Sequence, residues 1–260
     1  HAQVYQLSEA GRQYRLKSST FYWGGVFKRL SGTILPYKLL LETINNERAN
    51  AAKNRPADGW ESGHVDMQMA KDVTAFMHSH SVPAAIGMTH TCDFSSVSKV
   101  LDVGGGSGCF SIALALHRAD IRCTIMELPT ICELALGYIS EAGVSEQVDT
   151  VTVDMFRQDW PTGYDTHFFS NVFHDWTVET CLELARKSHA ALPNGGSILL
   201  HEMLLDDSGI EPAPAVAFSL LMAMGTMGQQ FTFQQLADIL MAAGFSNISC
   251  QPSYGYYSIV

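Results

Sequence analysis

The stretch that decides the fold is residues 97–110, VSKVLDVGGGSGCF. A short apolar, β-branched run ends in Asp102 and a cluster of glycines, and the residues after them read as a helix over 108–118. In an open α/β sheet, ligands sit beyond the carboxyl ends of the strands, and glycines there let backbone approach a ligand with no Cβ in the way. The dinucleotide fingerprint G-x-G-x-x-G is not met. Counting from Gly104 puts Cys109 at its last position, and counting from Gly106 puts Ser111 there. The pattern is D-x-G-x-G-x-G, carried by Asp102, Gly104, Gly106 and Gly108. Alone, such a loop is as readily an ordinary strand–helix turn.

Working outward, further apolar runs lie at 121–128, 148–156, 165–173 and 196–204, with helical patterns at 130–142 and 178–191 between them. Strands alternating with helices predict a parallel sheet covered on both faces. FTFQQLADILMAAGF (231–245) predicts a helix opened by Thr232 and closed by Gly244, and NISCQPSYGYYSIV (247–260) predicts an edge hairpin. Towards the start, VYQLSEAGRQYRL (4–16) predicts strand–turn–strand with Gly11 at the turn. LPYKLLLETINNE (35–47) and GHVDMQMAKDVTAFMHSHS (63–81) predict helices, and RANAAKNRPADGWESG (48–63) predicts a loop between them.

Composition narrows the function classes. The 260 residues are 47% hydrophobic and carry 26 acidic against 16 basic residues, a net charge of −10. Without a basic patch to neutralise phosphates, nucleic acid is excluded as a partner. No apolar run approaches the roughly 20 residues of a membrane span, and no signal segment opens the chain. Six cysteines with no C-x-x-C pair read as reduced core thiols of a cytoplasmic protein, with no metal site.

Chemistry gathers at the strand ends. Glu127 closes the second run, where a carboxylate accepts both hydroxyls of a ribose. Asp154, Met155 and Phe156 close the third, suited to the polar edge and flat faces of a purine. FFSNVFHDWT (168–177) turns abruptly from apolar strand to His174-Asp175-Trp176. Asp175 reads as a helix cap and Trp176 as packing. His201 falls on the opposite face of its strand from Glu202.

These pieces resemble the S-adenosylmethionine-dependent small-molecule O-methyltransferases of the caffeate and acetylserotonin type. LDVGGGSG, TIMELPTICELA, VDMF, FFSNVFHDW, LPNGGSILLHEMLLDD and FTFQQLADILMAAGF occur in family order across residues 95–260. The resemblance implies a Rossmann-like, doubly wound, mostly parallel seven-stranded sheet (the class I methyltransferase fold) over residues 91–260. Residues 1–90 then correspond to a helical linker and a remnant of the family's winged-helix dimerisation domain, with a homodimer expected where that domain is complete.

By the same resemblance, S-adenosylmethionine is the cofactor and S-adenosylhomocysteine its product. Asp102, Gly104, Gly106, Glu127, Leu128, Asp154, Met155, Phe156, Ser170 and Asn171 are the expected cofactor contacts, Ser170 standing where the family often has Lys. His174 aligns with the catalytic base, suited to taking a proton from a hydroxyl near neutral pH. Glu202 aligns with the carboxylate that orients it. Gln230 stands where plant members carry a second acid. Met77, His78 and Met224 are the expected substrate contacts, His80 being weighed beside His78. The function implied is O-methylation of a hydroxyl on a small molecule, an aromatic one being expected. C- or N-methylation, a rearrangement without methyl transfer, and a non-catalytic ligand-binding fragment are the alternatives.

Overall fold

The computed structural model describes residues 5–32, 37–45 and 59–260. At its centre β1 (Lys99–Val103), β2 (Arg122–Glu127), β3 (Val148–Thr152), β4 (Thr166–Ser170) and β5 (Ser197–Met203) pair in parallel. A hairpin of β6 (Gln251–Pro252) and β7 (Tyr257–Ile259) adds on antiparallel through β7, giving the order β3-β2-β1-β4-β5-β7-β6. The order reverses beside β1, the place where such sheets open a crevice at the carboxyl ends of their strands.

Alternation along the strands divides the core between the two faces. Val100, Ile125 and Phe168 point into one cluster, while Leu101, Met126, Phe169 and Leu200 point into the other. Each fully buried Phe or Leu contributes about 1.5–3 kcal/mol relative to an exposed position. On the face with Val100 lies the long helix α4 (Met67–Thr91), packed on α5 (Cys109–His117) and α6 (Pro129–Ala142). On the other face α7 (Val178–Ala191) packs against α9 (Phe233–Ala243), opened by a Thr232–Gln235 capping box and ended at Gly244. Helix α8 (Ala213–Gly225) crosses the carboxyl end of the sheet against a 3-10 turn, Phe173–Asp175.

The structure corrects the start of the chain. The expected hairpin is instead a helix, α1 (Glu9–Arg15), because Ser8 caps it by accepting from the Gly11 amide at 3.1 Å. Helix α2 (Gly24–Gly32) packs on α4, and α3 (Tyr37–Asn45) lies within the predicted helix 35–47. Most of the predicted loop 48–63 lies outside the described residues. The helix expected to stop near Ser81 runs through Pro83 to Thr91, since burial of Ala84, Ala85 and Met88 outweighs the one backbone bond that proline removes. Among the described residues no helix is long and apolar enough to cross a membrane.

Candidate active site

Two strand ends and the loop between them build a cleft. After β1 the chain takes left-handed φ at Gly104 (+67°), Gly106 (+58°) and Gly108 (+74°), values that a side chain strains. The Gly106 amide donates to Glu127 Oε1 at 3.2 Å, and the Leu128 amide donates to Oε2 at 2.9 Å. Each oxygen thereby keeps a lone pair for a further donor. Burial, partly offset by these two amides, pushes the Glu127 carboxyl up to about 7. Around it Trp60, Gly104, Met126, Leu128, Val153, Asp154, Met155 and Phe156 line a cleft open to solvent.

A Cβ on Gly106 would meet nothing within 4 Å, so the loop presents bare backbone to open space. Open backbone, a buried carboxylate with spare lone pairs and a slot walled by Trp60, Met155 and Phe156 suit a ribose-bearing cofactor with a flat heteroaromatic base. Trp60 was not singled out in the sequence, because the surrounding polar segment reads as loop. Asp154 lines the slot while its Oδ1 accepts from the Phe156 amide (2.9 Å) and its Oδ2 from Arg157 Nη1 (2.6 Å). Against burial, those bonds hold its carboxyl below the usual range. They also end β3 at Thr152, short of the strand predicted to reach Phe156.

Three expected cofactor contacts hydrogen-bond to other side chains of the protein. Asp102 is buried behind the loop and accepts from Ser111 Oγ at 2.6 Å. Ser170 Oγ bonds His201 Nδ1 (2.9 Å), whose Nε2 reaches Ser253 Oγ (3.1 Å). Asn171 takes φ +56°, ending β4, and its Oδ1 accepts from Tyr257 Oη at 3.1 Å. The reason is the sheet itself. Ser170 lies on the His201 side of β4, and the β6–β7 hairpin brings Tyr257 over that side, stacked 4.6 Å from His201.

On the other face, the turn after Asn171 carries His174. The Val172 and Phe173 amides both donate to Glu202 Oε1 at 3.1 Å, and Glu202 Oε2 lies 2.8 Å from His174 Nδ1. Gln230 Nε2 stands 3.1 Å from the same nitrogen. All three side chains are buried. Burial disfavours the imidazolium, but Glu202, with Asp175 3.8 Å from Nε2, outweighs it and lifts His174 to about 9. The expected cap at Asp175 is supplied by Thr177, which accepts from Thr180. Trp176 packs edge-on against Phe156 at 4.7 Å.

His78 and His80 part company. His78 Nδ1 bonds Ser107 Oγ in the glycine loop at 2.9 Å, away from the expected substrate contact. His80 stacks between Phe76 (6.1 Å) and Phe218 (5.9 Å), and Phe218 lies 5.5 Å from the His174 ring. Burial and the charge of His174 lower the pKa of His80 below the usual imidazole value, and among the described residues its buried Nδ1 has no hydrogen-bond partner. Met77 on α4 and Met224 on α8 are half-buried. Phe218 was not singled out in the sequence, because no motif marks it and its place beside His174 depends on how α8 packs. Among the described residues no cluster of three His, Cys, Asp or Glu side chains is placed to hold a metal ion.

The family model of the O-methyltransferase domain matches residues 37–246. The chain belongs to this family. Two relatives illustrate the breadth of the O-methyltransferase domain family. The chain is 31% identical to the 3-hydroxy-5-methyl-1-naphthoate 3-O-methyltransferase of Streptomyces sahachiroi, over 75% of this chain and 52% of the relative. It is 35% identical to the L-tyrosine C(3)-methyltransferase of Streptomyces lavendulae, over 79% of this chain and 57% of that relative. The chain thus spans little more than half the length of either. The solved structure of PigF with S-adenosylhomocysteine superposes with a TM-score of 0.86 at 25% identity, covering 97% of this chain and 77% of PigF. The seven-stranded sheet is therefore that of the S-adenosylmethionine-dependent methyltransferases.

Proposed function

We propose that this protein is an S-adenosylmethionine-dependent O-methyltransferase that methylates a hydroxyl on a small aromatic molecule, with His174 as general base. The observation that carries the reading is the buried His174–Glu202 pair at the end of β4, close to the cleft built on Gly104 and Glu127. Glu127 accepts the ribose hydroxyls, Leu128, Asp154, Met155, Phe156 and Trp60 frame the base, and Gly104 and Gly106 border the amino-acid end. Asp102, Ser170 and Asn171 support that site from behind. When bound, the cofactor supplies a methyl group on a cationic sulfur, ready for in-line displacement.

His174 holds the acceptor hydroxyl and takes its proton as the oxygen attacks, Nδ1 facing Glu202 and Nε2 receiving the proton. Glu202 then stabilises the imidazolium. Phe76, His80 and Phe218, with Met77 and Met224 at the rim, form the flat apolar side on which an aromatic acceptor lies. Water exclusion and alignment contribute most of the remaining rate. On the family likeness, residues 1–90 are read as the linker to a dimerisation region and residues 91–260 as the catalytic unit, in a cytoplasmic homodimer.

C-methylation is the second reading, favoured by the tyrosine C-methyltransferase among the relatives and by the neutral Gln230 beside the base. Incubation with S-adenosylmethionine and a panel of hydroxynaphthoates and other phenols tests both. Mass spectrometry should find the gain of one methyl, and NMR should place it on oxygen. A methyl on carbon selects the second reading, and no titration heat with S-adenosylhomocysteine overturns both.

A further inference from the structure

The residue that sequence reasoning placed against the substrate, His78, lies instead under the glycine loop. We infer that His78 is a positioning residue for the cofactor loop, acting through Ser107 to set the affinity for the adenosyl cofactor. The inference rests on the proposed function and goes beyond it, because it gives a task to a side chain on α4, outside the cleft lining.

Side chains from β2 and α4 tie down the loop 104–108. From β2, Glu127 holds the Gly106 amide; from α4, His78 Nδ1 holds the Ser107 hydroxyl at 2.9 Å. Ser107 is 3% exposed, so its hydroxyl has little recourse to water if His78 is lost. The His78 ring is itself fixed, stacked at 4.2 Å and 28° on Tyr138 of α6, the helix that follows Glu127. Burial depresses His78 to about 4, so the ring is neutral and offers one fixed tautomer to Ser107 near neutral pH. A loop with left-handed φ at alternate positions has several accessible backbone paths, and a fixed bond at Ser107 selects one of them. Two residues further along α4 stands His80, on the acceptor side, so one helix touches both halves of the site.

The test is a double-mutant cycle read by calorimetric titration with S-adenosylhomocysteine on the full chain. His78→Phe keeps a ring on Tyr138 and removes the bond, and Ser107→Ala removes its partner. Each single variant is expected to raise the Kd about five- to tenfold, and the double variant no further than the weaker single. A merely structural bond would lower the melting temperature of the unliganded protein while leaving the Kd of the folded protein unchanged. Singles within twofold of wild type overturn the inference, and so does a double variant whose loss is the product of the two. Should His78→Phe not fold, His78→Leu, which also offers no hydrogen-bonding atom, replaces it in the cycle. Wild type that binds no S-adenosylhomocysteine removes the proposed function itself, whereas binding left unchanged by the variants removes only this inference.

Discussion

Glu202 Oε2 lies 2.8 Å from His174 Nδ1, while its Oε1 accepts from the Val172 and Phe173 amides of the turn that carries His174. One carboxylate from β5 therefore fixes both the backbone and the ring of the proposed base. Removing two charges from water is costly, and here the cost is offset by three contacts at close range.

That arrangement fixes a pH dependence. With His174 lifted to about 9, burial being outweighed by Glu202 and Asp175, only about one molecule in a hundred carries the neutral base at pH 7. The rate of methyl transfer should rise about tenfold from pH 7 to 8, reach half its limit near 9 and level off only above about 10. Glu202→Gln should bring that limb down towards 6.5 and reduce kcat/KM by about 10²–10⁴-fold, as the turn and ring lose their anchor. A pH–rate profile that is the same in wild type and variant would rule out the pairing. Stability should change in the opposite direction to the rate. The charged pair stabilises fully below about 6.5 and its contribution is lost as pH rises through 9.

Glu127 gives the opposite handle on the cofactor. Its carboxyl, pushed up by burial to about 7, is protonated below that pH and then offers one acceptor fewer to ribose hydroxyls. Affinity for S-adenosylhomocysteine should fall as pH drops from 8 to 6. Glu127→Ala should weaken binding by about 10–100-fold and flatten the dependence, by calorimetric titration at each pH.

Gly228 is a close approach. A Cβ there would overlap the His174 carbonyl oxygen, and backbone cannot move aside as a side-chain tip can. Gly228→Ala should therefore displace the 173–175 turn, lowering kcat at least tenfold with a loss of about 1–3 kcal/mol in stability. Full activity with an unchanged melting curve would show that the two segments separate freely.

Gln230 offers a gain experiment. Its amide nitrogen is 3.1 Å from His174 Nδ1 and its Oε1 is buried without a hydrogen bond. Gln230→Glu should set a second carboxylate beside the imidazolium, moving the pH limb above that of wild type. The melting temperature should fall at high pH, where the ring is neutral and a buried charge is left unpaired. A limb that stays in place would mean that Gln230 does not face the base electrostatically.

The sheet was legible because its strands are apolar runs broken by turn residues, a local signal. The same holds for Glu127 and His174, each at the end of such a run. The partners of Asp102, Ser170 and Asn171 were not legible, because motif position says that a residue is near a cofactor but not which way its side chain turns. Asp102 has Ser111 behind it, and Tyr257, 86 residues away from Asn171, claims that side chain. At the N-terminus the Ser8 cap outweighed an alternation that looked like two strands.

By itself, then, the sequence determined the parallel sheet, the glycine loop, the strand-end acid and the strand-end histidine, because periodicity and loop chemistry are properties of neighbours along the chain. Only the tertiary structure decided that His78 bonds Ser107 of the loop while His80 stacks on Phe218, the neighbour of His174, and that Gln230 and Glu202 converge on one nitrogen. Two residues along a helix differ by roughly 200° in direction, so which neighbour each meets depends on packing against distant segments.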